Sequence, residues 1–139
     1  MADVSGKTWM AIGETDDPNA VIESFVAGAA ITKGDPAYLS ADDTVSPAAA
    51  AQDCIGIATK TVASGAMCPV LIKGRVKVKA GGAITRGKAV YGADASKRVV
   101  ALADINEGGS ATISWTRKLG WALETTTTAD DLLFIYVEK

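Results

Sequence analysis

The segment Gly82-Ala83-Ile84-Thr85-Arg86-Gly87-Lys88 satisfies the first seven positions of a phosphate-binding GxxxxGK[ST] loop. Such a loop cradles phosphate with main-chain N–H groups. It then needs a Ser or Thr for magnesium and a helix whose N-terminus faces the phosphate. Ala89 stands at the hydroxyl position and Val90-Tyr91 reads as strand, so the segment is read as a turn built on Gly87. Gly6-Lys7-Thr8 is a weaker fragment of the same pattern, with no glycine-rich loop before it. Glu14-Thr15-Asp16-Asp17 and Asp42-Asp43 offer the oxygen ligands calcium requires, but neither has EF-hand spacing, and both read as surface turns. Sixteen carboxylates give many accidental pairs, and none stands in a recognisable frame for acid–base catalysis. There is no histidine, which removes His-ligated metal sites and the Ser-His-Asp and Cys-His catalytic arrangements. Cys54 and Cys68 lie fourteen residues apart without a CxxC or a third ligand, and are read as buried, reduced thiols. No residue is assigned a catalytic, cofactor-binding or metal-binding role.

The remaining pattern with chemical content is a row of cations. From Val70 to Lys79, Val70, Ile72, Val76 and Val78 alternate with Leu71, Lys73, Arg75, Lys77 and Lys79, with Gly74 on the apolar side. Period two with apolar residues on one face and cations on the other predicts a half-buried strand. Like charges at that spacing repel unless something negative faces them. The row is read either as a solvated outer face or as a strip that docks on an acidic protein surface. On this reading Lys77 is exposed, and Lys77→Glu leaves the fold intact. Nucleic acid is disfavoured because no aromatic residues interleave with the cations.

The strand sits in a chain of 139 residues and 14.2 kDa, with 48% hydrophobic residues, 22% charged residues and a net charge of −2. That is globular composition for one compact domain. Frequent Val, Ile and Thr, dispersed glycines and short apolar runs between turn residues predict an all-β fold. An internal repeat organises it. Residues 27–38 align with 80–91 at an offset of 53, with seven of twelve pairs identical. Ile55-Gly56-Ile57-Ala58 then aligns with Leu119-Gly120-Trp121-Ala122, and Val70-Leu71-Ile72 with Phe134-Ile135-Tyr136, at an offset of 64. The change of eleven places an insertion after about Val99. Two β-units, about 25–72 and 78–137, are thus expected to share one fused body, joined by the strand at 70–79. Ser46-Pro47-Ala48-Ala49-Ala50-Ala51 reads as one helical turn in the first unit, and Ala103–Ser110 as a loop in the second.

Residues 1–24 fall outside the repeat and read as an N-terminal arm preceding a single β-domain at 25–139. Trp9, Met10 and Ile12 suggest a short strand there, and Asp16-Asp17-Pro18-Asn19 a turn. The start has neither a basic nor an apolar signal region, and no apolar run approaches the ~20 residues of a membrane helix. A soluble protein made in a reducing cytoplasm is expected.

The block Gly-x-Val-x-Val-x-Ala-Gly-Gly-Ala-Ile-Thr-Arg-Gly-Lys-Ala-Val-Tyr at 74–91 resembles the head decoration, or capsid cement, proteins of tailed bacteriophages and related archaeal viruses. Ala30–Leu39, Ile55–Ala58, Pro69–Ile72 and Leu119–Ala122 resemble the same family in the same order, so the likeness covers about residues 25–137. It implies a small β-barrel or β-tulip-like body without catalytic residues or cofactor. It also implies binding to the outside of an assembled capsid, with the major capsid protein as partner, in a host cytoplasm-made virion component. Such proteins often sit as homotrimers at threefold and quasi-threefold positions. With that partner, Lys73, Arg75, Lys77 and Lys79 become candidate docking residues, and so do Trp9, Met10 and Ile12 of the arm. Neither nucleic acid nor membrane is expected as a partner. The alternative is a receptor- or glycan-binding module, with Trp9, Trp115 or Trp121 stacking on sugars, although Trp121 aligns with Ile57 and so reads as core. A small β-barrel enzyme is the weakest reading.

Overall fold

The computed structural model describes residues 3–50, 52–102, 105–107, 110–112 and 117–138. Among them are eleven strands and no α-helix. The strands are β1 (Val21–Ala27), β2 (Pro36–Ala41), β3 (Thr44–Pro47), β4 (Cys54–Ala58), β5 (Met67–Lys79), β6 (Ala89–Gly92), β7 (Val99–Ala101), β8 (Ile105–Glu107), β9 (Ser110–Thr112), β10 (Lys118–Ala122) and β11 (Leu132–Glu138). Nine form one sheet in the order β1-β3-β2-β4-β5-β11-β10-β6-β7. A further pairing of β1 with β5 closes the first five into a barrel. Closure pairs β1 along its length with β5, while β7 stays at the other end of the sheet.

The 13-residue β5 joins the two halves. Its first part pairs with β1 and β4, and its second part with β11, with the change of partner at Lys73, which faces both Val21 and Glu138. The alternation read from the sequence accounts for this only in part, because Leu71, in register with the cations, is also fully buried and joins the second core. Cys68 and Val70 enter the core of the closed barrel, beside Ala27, Ile31, Ala37, Val45 and Ala58. Val76 and Val78 enter the second core, with Ile84, Val90, Val99, Leu119, Leu133 and Ile135. Main-chain bonds in the two halves correspond. Ile31 N–H donates to Val62 O, and Ile84 N–H to Thr126 O. Gly28 N–H donates to Val45 O, and Gly81 N–H to Val99 O. Gly34 N–H donates to Ala58 O, and Gly87 N–H to Ala122 O. Gly34 and Gly87 both adopt left-handed φ, 97° and 82°, a conformation a Cβ disfavours. The would-be phosphate loop is therefore a strand-joining turn.

Three local expectations change. Where a helical turn was expected at 46–51, residues 46–50 are instead the end of β3 and a loop, residue 51 lying outside the described residues: Ser46 and Pro47 face Tyr38 and Ala37 across the sheet, and Ala48 N–H donates to Pro36 O. Strand pairing outcompetes the weak local preference of an alanine run, and Pro47 lies beyond the two residues through which β1 bonds β3, so its missing N–H is not needed. The insertion at 103–110 carries strand where composition suggested loop, β8 pairing antiparallel with β9. Trp9, Met10 and Ile12 lie in turns, with Met10 N–H bonded to Lys7 O and Glu14 N–H to Ala11 O.

Candidate functional site

The cationic strip is where the sequence placed its docking candidates, and the structure divides it. Lys73 is exposed. Lys79 is half-buried beside a small cavity of about 140 Å³ that Ile12, Gly34 and Asp35 also line. Arg75 is half-buried, its Nη2 and Nε 2.8 and 2.9 Å from Asp16 Oδ1, and its main-chain N–H donates to Asp17 Oδ2. Lys77 is 0% exposed. The expectation that its ammonium faces solvent, and that Glu would be tolerated there, is thereby corrected.

The physical reason is residues 3–17, which lie across the outer face of β5 and β11. Lys77 Nζ donates to Lys7 O at 2.9 Å, to Met10 O at 2.8 Å and to the Asp3 carboxylate. Three donors meet three acceptors, so the buried ammonium is fully satisfied. On the edge of β5 away from β11, Gly13 N–H donates to Lys77 O and Lys77 N–H to Glu14 O. Val4 N–H donates to Leu132 O at the far side of the strap. Phe134 is buried beneath it, with Lys7 Nζ 5.5 Å and the Arg75 guanidinium 5.8 Å from its ring centre. The N-terminal segment is thus fastened to the body by main-chain bonds and one internal lysine, and Val21–Ser24, read as arm, are barrel strand.

Electrostatics follow this packing. Burial pushes the Asp3 carboxyl up, but the bonds from Lys77 and Ser5 outweigh it and hold it below its ordinary value. The bond from Lys7, and then Arg75, holds Asp16 low, and Lys33 does the same for Glu14. Glu124 accepts the Phe134 N–H under the strap, and burial raises its carboxyl, with Asp3 adding to the effect. Sequence reasoning found Asp16 and Asp17 as a turn and missed Asp16 and Asp3 as the ion-pair partners of Arg75 and Lys77. Only the sign balance of the strip hinted that acidic groups face it.

The strap also sets where the arm candidates point. Met10 supplies a carbonyl to Lys77 and is half-buried, and Ile12 packs on Gly34, where a Cβ would meet its Cγ2 at 1.9 Å. Trp9 is 76% exposed at the outer rim. Trp121 is half-buried and stacks on Tyr136, ring centres 4.9 Å apart, on the outside of β10 and β11 rather than in the core. Trp115 lies outside the described residues. Cys54 and Cys68 are not joined to each other and are buried in different cores. Among the described residues no cluster of His, Cys, Asp and Glu is arranged to hold a metal ion. The features that stand out from the body are an anchored strap, an exposed tryptophan and flanking charge.

No curated protein matches the chain. Among solved structures, the N base of the head fibre gp8.5 of bacteriophage phi29 has a similar fold. It shares 20% identity over 86% of this chain and 94% of that one, with a TM-score of 0.58. A family model described as phage cement protein matches residues 24–138, which take in the closed barrel from Ser24 onward, the shared strand and the second half. The chain belongs to the phage cement protein family.

Proposed function

We propose that the protein is a non-enzymatic structural component of a virion, docking on the outer surface of the assembled capsid and bridging neighbouring subunits of the major capsid protein. The family match across residues 24–138 carries this reading. A protein that binds the assembled lattice and not its free subunits stabilises the lattice by mass action. A homotrimer at threefold or quasi-threefold positions multiplies weak contacts into firm attachment. The body is read as two like β-units fused through β5, which fits the paired main-chain bonds at offsets of 53, 54 and 64. Trp9, on its pinned strap, and the flanking Lys73, Arg75 and Lys79 are the proposed contacts. Met10, Ile12 and Lys77 hold the strap in place.

The test uses purified protein and empty shells lacking it. Co-sedimentation with assembled shells but not with free capsid subunits, together with a raised dissociation temperature of the decorated shell, is the expected result. Binding to free subunits with equal affinity would remove the stabilising role.

A further inference from the structure

The strap shows what one half of the molecule does with a bare strand edge, and the other half keeps the corresponding edge open. Lys77 lies three residues before Ala80, and Ser24 three residues before Ala27. Ala80 and Ala27 are matched by their bonds, Ala80 N–H to Asp131 O and Ala27 N–H to Ala66 O. At Lys77, residues 13 and 14 add to the edge of β5 through both main-chain groups. At Ser24 none of the described residues does. β1 bonds β3 only through Val26 and Ala27, and Val26 N–H meets Asp43 O. Main-chain groups alternate between edges along a strand, so Ser24 N–H and C=O share that edge and have no bonded partner among the described residues.

The surroundings of this edge are those of a peptide groove. Where β1 parts from the β2–β3 hairpin, a cleft of about 620 Å³ opens, lined by Phe25, Leu39, Ser40, Ala41, Asp42 and Asp43. Ile22 and Met67, 46% and 56% exposed, and Val26 offer apolar side chains on the outer face beside it. Unlike β5 at Lys77, β1 itself carries no cation. Glu23, Asp42 and Asp43 lie near its open edge, and Lys73 stands across from Val21 at its start.

We propose that the β1 edge at Ile22–Ser24 and the adjoining cleft form a docking groove. Its occupant is an extended segment of the shell protein that adds as a strand and carries an apolar residue and a lysine or arginine. This rests on the capsid-docking reading above. Main-chain bonds to Ser24 supply attachment, the apolar side chain fills the cleft over Phe25 and Leu39, and the cation meets Asp42 and Asp43. The groove lies in the first half of the body, and the strap, with Trp9, covers the second. The shell would then be held at two separate places.

The experiment measures binding of the full chain to empty shells by co-sedimentation across a salt series. Ser24→Pro removes the open N–H without breaking a bond of the free protein. The paired change Asp42→Asn and Asp43→Asn removes charge while keeping a residue tolerant of the left-handed φ of 51° at position 43. Each is expected to weaken binding tenfold or more, and the double change also to flatten the salt dependence, with melting close to wild type. If Ser24→Pro does not fold, the double change and Ile22→Lys carry the test. Wild-type binding with unchanged affinity in the folded variants overturns the groove and leaves the docking reading intact. A wild type that binds no shell overturns both. Loss of self-association with unchanged shell affinity makes the occupant a second copy and overturns the assignment to the shell.

Discussion

Replacing Lys77 by methionine isolates the contribution of the internal ammonium, because methionine keeps most of the stem and loses the charge. The wild-type group is wholly buried and donates to Lys7 O, Met10 O and Asp3. Removing one partner of a buried pair costs about 3–5 kcal/mol when the other charge is stranded. Asp3 is not fully stranded: its side chain is 16% exposed and keeps the bonds from Ser5. The two carbonyls each forfeit a bond, about 1–3 kcal/mol apiece if they stay buried. If the strap lifts instead, water satisfies them and the loss is capped at the strap's own docking energy. The expected total is about 3 kcal/mol, roughly a 10 °C fall in Tm for a chain of this size. Urea unfolding measures the loss, and hydrogen exchange locates it. The Gly13 and Lys77 amides, which bond strap to β5, should lose protection before those of the closed barrel. Lys73→Met, at an exposed position on the same strand, should stay within about 0.5 kcal/mol of wild type. A Lys77→Met protein as stable as Lys73→Met, with Gly13 and Lys77 still protected, would refute the reasoning.

Acid should loosen the strap. The carboxyls of Asp3 and Asp16 lie below their unfolded value, so their contribution is present above about pH 4 and is lost as pH falls through the folded values; urea midpoints against pH would record the loss, and a flat profile down to pH 2 would contradict it. Glu124 has the opposite sign. Its raised carboxyl favours folding below its unfolded value and costs stability as pH rises through the folded one, so Glu124→Gln should stabilise the protein at pH 7 and not at pH 4. Gly120→Ala and Gly56→Ala should each destabilise by more than ~2 kcal/mol, because a Cβ would fall 1.8 Å from Tyr136 O and 2.1 Å from Leu71 O, whereas Gly82→Ala, with open space around it, should melt like wild type. Cys54 and Cys68 should resist alkylation until the protein unfolds, since both are buried and burial, with Asp35, raises the Cys68 thiol; mass spectrometry of native and denatured samples checks this.

The strand at 70–79 was legible because Val76 and Val78 alternate with Arg75, Lys77 and Lys79, and a period of two points to a strand. What covers the other face was not legible. Alternation reports that Lys77 points away from Val76 and Val78. It does not report whether that direction leads to water or to a folded-over segment. The strap itself has no periodicity to read, since much of its attachment is through carbonyls at 7 and 10 and amides at 4 and 13, which every sequence possesses, with Asp3, Glu14 and Asp16 adding ion pairs that follow no regular spacing. Ser46–Pro47 misled for a related reason: a capping signal is local, and the pairing with Tyr38 and Ala37 that overrides it is not. The glycine turns at 34 and 87 were legible because the residues around them recur, and each needs a left-handed φ.

β5 has a mechanical consequence. Its 13 residues span roughly 43 Å when extended, and the strand is bonded lengthwise to β1, β4 and β11. A pull along this strand loads all of those ladders in shear, so many hydrogen bonds must fail together. A pull across it would peel them one at a time. The molecule therefore has a stiff axis and a soft one, and tension applied between its two halves along β5 meets a continuous tie rod instead of a hinge.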